Sequence, residues 1–543
     1  MIKKILLGNE AIVQGALEAG VNFVSAYPGT PSSEIGNVFS KIAKENGVYF
    51  EFSTNEKVAL EAAIGASFSG LKSLVAMKSF GVNVCLDSLI PLLYTGVVGP
   101  MVIIVADDPS CWSSAQSEEN SRAFAYLAHI PILEPADPQE AKDFTKFAFK
   151  LSEKFKLPVI VKTTTRVAHQ RMPVVIDPKV NTGTQKTGEF IKNPHQFVTM
   201  PPRVLEMKKE LLEKIEKIRD FAEKSPLNKV SGVRNTAKVG IITSGVSYLH
   251  TLEALKELNL HIPVLKLGFF YPLPKKIIQP FIKKLNRVLV VEELEGYLEK
   301  EITALAKDIN PKLQIFGKNL LSPIGELNAN KITFALAKIL GRKYQIPEVK
   351  EIIPKRYPNP CLGCPHLLTF SILKKLTSKN IIFGGDIGCY MLAGMPQFNL
   401  QDYLFSMGSS VGIGHGIMKA TKKQKVIALM GDSTFFHAGI SALINTVFNK
   451  SSPLIIVLDN RTTAMTGHQT NPGIGKTGMG EDTAILKPEE IAVACGVKNI
   501  KVIDPVNIKE YESTIKEFLN KKEVSLIVAR RICALLIKKQ KNG

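Results

Sequence analysis

No stretch of this 543-residue chain is apolar for long enough to cross a bilayer, which sets integral membrane proteins aside. The opening "MIKKILLGNEAIVQGALEAGV" starts like an export signal, but its apolar run breaks at Gly8-Asn9-Glu10 and no small-residue cleavage site follows. Cysteine is scarce. Seven residues, an odd number at irregular spacing, do not build the disulfide framework of a secreted protein. Low-complexity tracts and short-period repeats are missing too. The formal charge is +20, yet no basic block interleaved with aromatics occurs, and the lysines lie along helix faces beside glutamates. The expectation is a soluble, cytoplasmic protein with no membrane and no nucleic-acid partner.

Apolar content is ample: at 45% hydrophobic residues, a chain too long for one core can bury several. Short apolar strands alternate with longer helical patterns, which predicts an α/β protein built on mainly parallel sheets. Three blocks are expected, at 1–180, 237–345 and 355–543, with a linker at 181–236. The linker carries an amphipathic helix whose Leu211, Leu212, Ile215, Ile218 and Phe221 share one face. Glu210/Lys214 and Glu213/Lys217 form i,i+4 pairs on another. A Pro-rich break, "PEVKEIIPKRYPNP", precedes the third block.

In that block "VIALMGDSTFFHAG" reads as a buried strand ending in Gly431-Asp432-Ser433, and "LIIVLDN" as a second strand ending in Asp459-Asn460. Two parallel strands would then present Asp432 and Asn460 side by side at their carboxyl ends, where open α/β sheets bind ligands. Both are hard oxygen ligands. With a backbone carbonyl just beyond Asn460, phosphate oxygens and water, they suit the octahedron of Mg²⁺. Gly431 would let a diphosphate approach the backbone. The spacing is that of the thiamine diphosphate (ThDP) motif, with Ser433 standing where Gly is usual. "SMGSSVGIGHGI" adds a Gly/Ser-rich turn entering a helix, suited to phosphate oxygens.

The first block offers Glu56 in the first turn of a helix with a small inner face of Ala59, Ala62, Ala63 and Ala66. ThDP chemistry needs such a carboxylate at the aminopyrimidine; a helix-dipole glutamate is the plain alternative. Thr30 reads as the N-cap before Pro31, a place that suits a substrate carboxylate or simple capping.

Two thiols three positions apart, Cys361 and Cys364 in "PCLGCPHLL", open four possibilities: a disulfide, zinc, a redox dithiol or an iron–sulfur cluster. Cys389 follows 25 positions on, and Cys533 lies in "VARRICALL". Four cysteines suit zinc and a [4Fe–4S] cluster equally by ligand type. On ligand type alone the choice stays open. Cys85, Cys111 and Cys495 read as buried small hydrophobes.

Taken in order, "YPGTPSSE", "NEKVALEAAIGAS", "CLGCPH", "GDIGCY", "GDSTFFHAG" and "DNRTTAMTGHQ" resemble the alpha chains of the indolepyruvate-type ThDP-dependent 2-oxoacid:ferredoxin oxidoreductases. The resemblance runs from the N-terminus to about residue 536. It implies a pyrimidine-binding domain, a transketolase-C-terminal-like domain and a diphosphate-binding domain, in that order. It further implies Glu56 at the aminopyrimidine and Thr30 at the substrate. Asp432, Asn460 and the Thr462 carbonyl would hold Mg²⁺, with Gly431, Ser433, Ser409 and His366 as further cofactor contacts. One [4Fe–4S] cluster on Cys361, Cys364, Cys389 and Cys533 is implied as well. So are an aryl 2-oxoacid substrate, coenzyme A, ferredoxin as acceptor and a small beta subunit. The arginine that clamps pyruvate in the pyruvate-specific relatives has no clear counterpart; Asp107-Asp108 lie in that region. The family's C-terminal ferredoxin-like domain is not in this sequence, which implies a short form or a truncated chain. Two rival readings remain at this level, a non-oxidative ThDP decarboxylase or synthase with a structural Cys₄ metal site, and a non-catalytic scaffold subunit.

Overall fold

The computed structural model describes residues 2–113, 115–177, 185–232, 237–347, 354, 356–421 and 423–542, the side chains of 540–542 excepted. Parts of the linker and of the Pro-rich break lie outside these residues. The chain divides into two compact units, one covering 1–51 and 56–351, the other 52–55 and 352–543.

The first unit contains a seven-stranded sheet because its apolar runs are short, β-branched and bounded by Gly and Pro. From one edge the strands run Phe269–Tyr271, Ile132–Leu133, Val159–Thr164, Met101–Asp107, Ser73–Lys78, Phe23–Ala26 and Tyr49–Phe52. Met101–Asp107 is buried at every residue, as a parallel strand covered on both faces must be. The edge strand Phe269–Tyr271 comes from the block expected to begin at 237 and pairs antiparallel with Ile132–Leu133. A five-stranded sheet holds Gln314–Phe316, Arg287–Val291, Val239–Ser244 and Val264–Leu267 in parallel, and Lys229–Ser231 antiparallel at its edge. The N-terminal run folds as the strand Ile2–Leu7 against Arg171–Ile176. Among the described residues no helix is long and apolar enough to cross a membrane.

The linker helix spans Arg203–Ala222 and buries Met207, Leu211, Ile215, Ile218 and Ala222. Leu212 is a correction: it is 42% exposed, because one step of 100° carries it off the stripe. Phe221 lies between Phe147 and Phe155, at ring distances of 6.0 and 5.6 Å. Glu210 pairs with Arg203 at 2.6 Å and not with Lys214, since the guanidinium can engage both of its oxygens.

The second unit is a five-stranded, wholly parallel sheet in the order Ile381–Gly384, Lys425–Gly431, Leu454–Asp459, Ser525–Arg530, Asn499–Ile503. Side chains alternate between two cores, as the strand period requires. Ile427, Leu429, Ile456, Leu458 and Ile527 pack with Phe370 and Tyr511 on one face. Ala428, Met430, Ile455, Val457 and Val528 pack with Val411, Phe435 and Leu443 on the other.

Candidate active site

In the second unit Gly431 pairs with Leu458, so the strands holding them end together and set Asp432 beside Asp459. Asp432 is 4% exposed. Its Oδ1 accepts the Ser433 N–H at 2.7 Å, while Oδ2 is buried without a hydrogen-bond partner among the described residues. Burial first, then the charge of Asp459, pushes Asp432 up to about 7. Asp459 itself is engaged: Arg530 Nε donates to it at 2.7 Å and the Arg461 N–H at 3.2 Å. Asn460 is buried, its Oδ1 accepting the Thr462 N–H at 3.3 Å and its Nδ2 lying 3.5 Å from His366 Nε2. Burial pushes His366 down to about 4, so it is neutral near neutral pH. Thr463 Oγ1 donates to Ser433 Oγ at 3.0 Å, which ties the two strand-end loops together. The helix after Asp432 opens into a π turn at Phe435–Gly439, a feature that recurs at functional sites.

Two cofactor-contact expectations change in detail. A Cβ on Gly431 would fall 2.6 Å from the ring of Tyr390, so on that side the glycine makes room for an aromatic ring. That ring is fixed in turn: Tyr390 donates to the Ile387 carbonyl at 2.6 Å and lies 2.8 Å from Thr434 Oγ1. Ser409 heads the helix Ser409–Ala420, but its hydroxyl is already bonded to Ser406 at 2.6 Å. Asp386, which sequence reasoning passed over inside "GGDIGCY", is wholly buried and accepts the N–H groups of Ile387 and Ser410 at 2.8 and 3.2 Å. Burial pushes it up to about 7. Its only signal in the sequence was a carboxylate just past a strand end.

The four expected cluster cysteines gather in this unit. Cys361 and Cys364 sit on a tight turn closed by the Cys364 N–H on the Cys361 carbonyl at 3.0 Å. Burial, then the neighbouring Cys364, Cys533 and Cys361, pushes Cys389 up to about 12, and burial raises Cys364 as well. The Cys533 N–H bonds the Asn460 carbonyl at 3.1 Å. Among the described residues no three His, Cys, Asp or Glu side chains stand close enough to share a single metal ion. Of the other thiols Cys85 is buried, whereas Cys111 and Cys495 are only half-buried, a correction that follows from their places in turns at element ends.

In the first unit Glu56 is buried at the start of the helix Glu56–Phe68, against the helix Ser79–Thr95. A Cβ on Gly81 would fall 2.5 Å from its Cγ, so only glycine admits the carboxylate there. Thr30 is not an N-cap: the helix begins at Ser33 after Ser32, because Ser32 Oγ turns back to the Gly29 carbonyl at 2.7 Å. Thr30 lies in the turn before it, half-buried, with its hydroxyl 3.5 Å from Ser33 Oγ. Asp107 is fully buried and engaged by Ser121 and Lys162.

Just past the ends of two parallel strands stand a buried aspartate with one unsatisfied oxygen and an asparagine, and the comparisons identify the class as ThDP-dependent 2-oxoacid oxidoreductases. The family described as "Pyruvate flavodoxin/ferredoxin oxidoreductase, thiamine diP-bdg" matches residues 14–219. "Indolepyruvate oxidoreductase domain" matches 228–352, and "Thiamine pyrophosphate enzyme, C-terminal TPP binding domain" matches 386–529. Indolepyruvate oxidoreductase subunit IorA of Pyrococcus horikoshii is 44% identical over 98% of this chain and 86% of its own length. The subunit of the same name from Methanothermobacter marburgensis is 44% identical over 98% of this chain and 87% of its own. A solved 2-oxoglutarate:ferredoxin oxidoreductase from Magnetococcus marinus shares the fold, with TM-score 0.50 at 19% identity over 62% of this chain and 65% of that one. The chain belongs to the indolepyruvate oxidoreductase IorA family.

Proposed function

We propose that this chain holds ThDP, Mg²⁺ and one [4Fe–4S] cluster, and that with a small partner subunit it oxidises aryl 2-oxoacids, indolepyruvate foremost. The products are CO₂ and the acyl-coenzyme A, and two electrons leave one at a time to ferredoxin. The observation that supports this most directly is the Cys533 N–H bonded to the Asn460 carbonyl, which joins the thiol set to the strand ends of the diphosphate site. Bound ThDP would supply the carbon nucleophile for the keto carbon and hold the electrons left by CO₂. Mg²⁺ would take Asp432 Oδ2, Asn460 Oδ1 and the Thr462 carbonyl, which answers the one buried oxygen of Asp432 that lacks a partner. Gly431, Ser433 and Ser409 would border the diphosphate, and neutral His366 would orient the Asn460 amide. Glu56 would share a proton with the aminopyrimidine, and the Thr30 hydroxyl would face the substrate. The +20 charge suits an acidic electron acceptor, with salt-sensitive association.

Anaerobic purification with iron, sulfide, zinc and thiamine assays tests the reading. Iron and sulfide on the order of four each per chain, with ThDP retained, are expected. Zinc at about one per chain without sulfide would mean a Cys₄ structural site instead. Cys533→Ser should lose most of the iron. Glu56→Gln should bind ThDP yet slow exchange of the thiazolium C2 proton by about 10² to 10⁴, the usual worth of a positioned proton-transfer group. Parent-like exchange would leave Glu56 a helix-dipole residue.

A further inference from the structure

The carboxyl ends of the strands in the seven-stranded sheet carry several cations, and among the described residues Arg122, Lys162 and Arg166 are committed. Arg122, in the loop after Met101–Asp107, spends Nε and Nη2 on Glu134 at 2.7 and 2.6 Å and Nη1 on Glu292 at 2.6 Å. Lys162 pairs with Asp107 at 3.1 Å. Arg166 pairs with Glu326. Lys78, the last residue of Ser73–Lys78, has no ion pair and no hydrogen bond from its ammonium among the described residues. Its ammonium lies over the ring of Phe80, 4.8 Å from the centroid.

Its place is what gives that solitude meaning. The side-chain stem lies on Gly29: a Cβ there would fall 2.9 Å from Lys78 Cβ and 3.7 Å from its Cδ. Gly29 directly precedes Thr30, beyond the end of the neighbouring parallel strand Phe23–Ala26. Gly81, three residues after Lys78, is the glycine that admits Glu56. One half-buried cation therefore stands on the same sheet edge as the residues assigned to the substrate and to the aminopyrimidine. Burial lowers its pKa, and Asp108, Cys111, Glu119 and Glu56 at longer range only partly restore it. An ammonium removed from water and left unpaired is costly unless an anion arrives.

We propose that Lys78 binds the carboxylate of the 2-oxoacid substrate, beside Thr30, a role for which Arg122, committed to Glu134 and Glu292, is not free. The inference rests on the 2-oxoacid reading of the site. Phe80 steers the ammonium by its ring face and leaves the donors on the far side for the substrate. The grip acts on the ground-state acid, so it belongs to binding more than to the rate of carbon–carbon cleavage.

The test uses the holoenzyme, reconstituted with ThDP, Mg²⁺ and its partner subunit. Equilibrium binding of indole-3-propionate is compared with that of indole-3-propionamide, which lacks the charge, in the parent, Lys78→Met and Lys78→Arg. The parent should prefer the acid by about tenfold or more, the usual worth of a charge-assisted hydrogen bond. Lys78→Met should bring the ratio near one and raise KM for indolepyruvate by about tenfold, with kcat changed less than KM; Lys78→Arg should keep most of the preference. ThDP binding by each variant reports folding, and if Lys78→Met fails it, the ratio in the polar, uncharged Lys78→Gln decides. An acid preference that survives in Lys78→Met or Lys78→Gln overturns the assignment. A parent that shows no ThDP-dependent decarboxylation overturns the functional reading itself, so the two failures are distinct.

Discussion

Each unit buries a group of charges, and the two groups are finished differently. In the first, Arg122 is 2% exposed and gives every guanidinium nitrogen a partner: Glu134 takes two, Glu292 one, and Ser244 Oγ is 2.7 Å from Nη2. Glu292 also accepts the N–H groups of Leu298 and Glu299, which opens the helix Tyr297–Ile309. Burial alone would raise Glu134, but Arg122 and Lys162 overcome it and hold the carboxyl at about 2. In the second unit Asp432 has one oxygen satisfied and one not, beside another carboxylate, and its pKa rises. A saturated group has no vacancy for a ligand and serves as a joint; a group left short is stable only when something else completes it. Burial is common to both, so the count of satisfied atoms is what separates architecture from chemistry.

Asp432→Ala should separate them most sharply. Mg²⁺-dependent ThDP binding should disappear, while the unliganded protein changes stability by no more than about 1 kcal/mol, because an orphaned carboxylate contributes little to folding. Calorimetry and a denaturant melt on one preparation check both halves; ThDP affinity equal to the parent's would misplace the site. Arg122→Met should do the reverse. It strands Glu134 and Glu292 and should cost about 3–5 kcal/mol, with ThDP affinity retained in whatever remains folded. Adding Glu134→Gln and Glu292→Gln should recover much of the loss, and failure to recover would mean that shape rather than charge holds the joint.

Glu293 sharpens the comparison from inside the satisfied region. Its Oε2 accepts the Leu327 N–H at 3.0 Å, but Oε1 is buried without a hydrogen-bond partner among the described residues, and burial pushes the group up to about 7. The folded state keeps this proton to higher pH than the unfolded chain does. The contribution is therefore complete below about 4.5 and lost as pH rises through about 7. Glu293→Gln should be neutral near pH 4.5 and stabilise by on the order of 1 kcal/mol near pH 8. A gain equal at both pH values would show that ionisation is not the cause. Smallest of all, Leu212→Gln should shift stability by less than about 0.5 kcal/mol, whereas Leu211→Ala should cost about 2–5 kcal/mol.

The reach of sequence reasoning follows the same division. The placement of Asp432 and Asn460 was legible because each directly follows its own strand, and the strand period and the intervening helix are local patterns. The place of Glu56 was legible from its helix start and small-residue face. The Arg122 group was not, since Glu134, Ser244 and Glu292 lie 12, 122 and 170 positions away and each reads alone as a solvated residue. Lys78 was hidden likewise, being one lysine in a Lys-rich chain until its partners could be counted. Thr30 was misread as a cap because a Thr-Pro pair signals a helix start, while the hydroxyl bonding that sets the boundary belongs to Ser32.

The strand Phe269–Tyr271 bears on how such a gene can be divided. It completes the seven-stranded sheet from a position well past the linker helix, covering the two-residue strand Ile132–Leu133. A polypeptide ending anywhere between the linker and Phe269 would expose that short strand as a raw edge, open to pairing with another chain. Phe269 would also leave Phe147, whose ring it meets edge-on at 5.9 Å. Domain shuffling that carries the first 236 residues alone therefore inherits an aggregation liability. A protease nick placed in that interval should leave two fragments that stay associated until denatured.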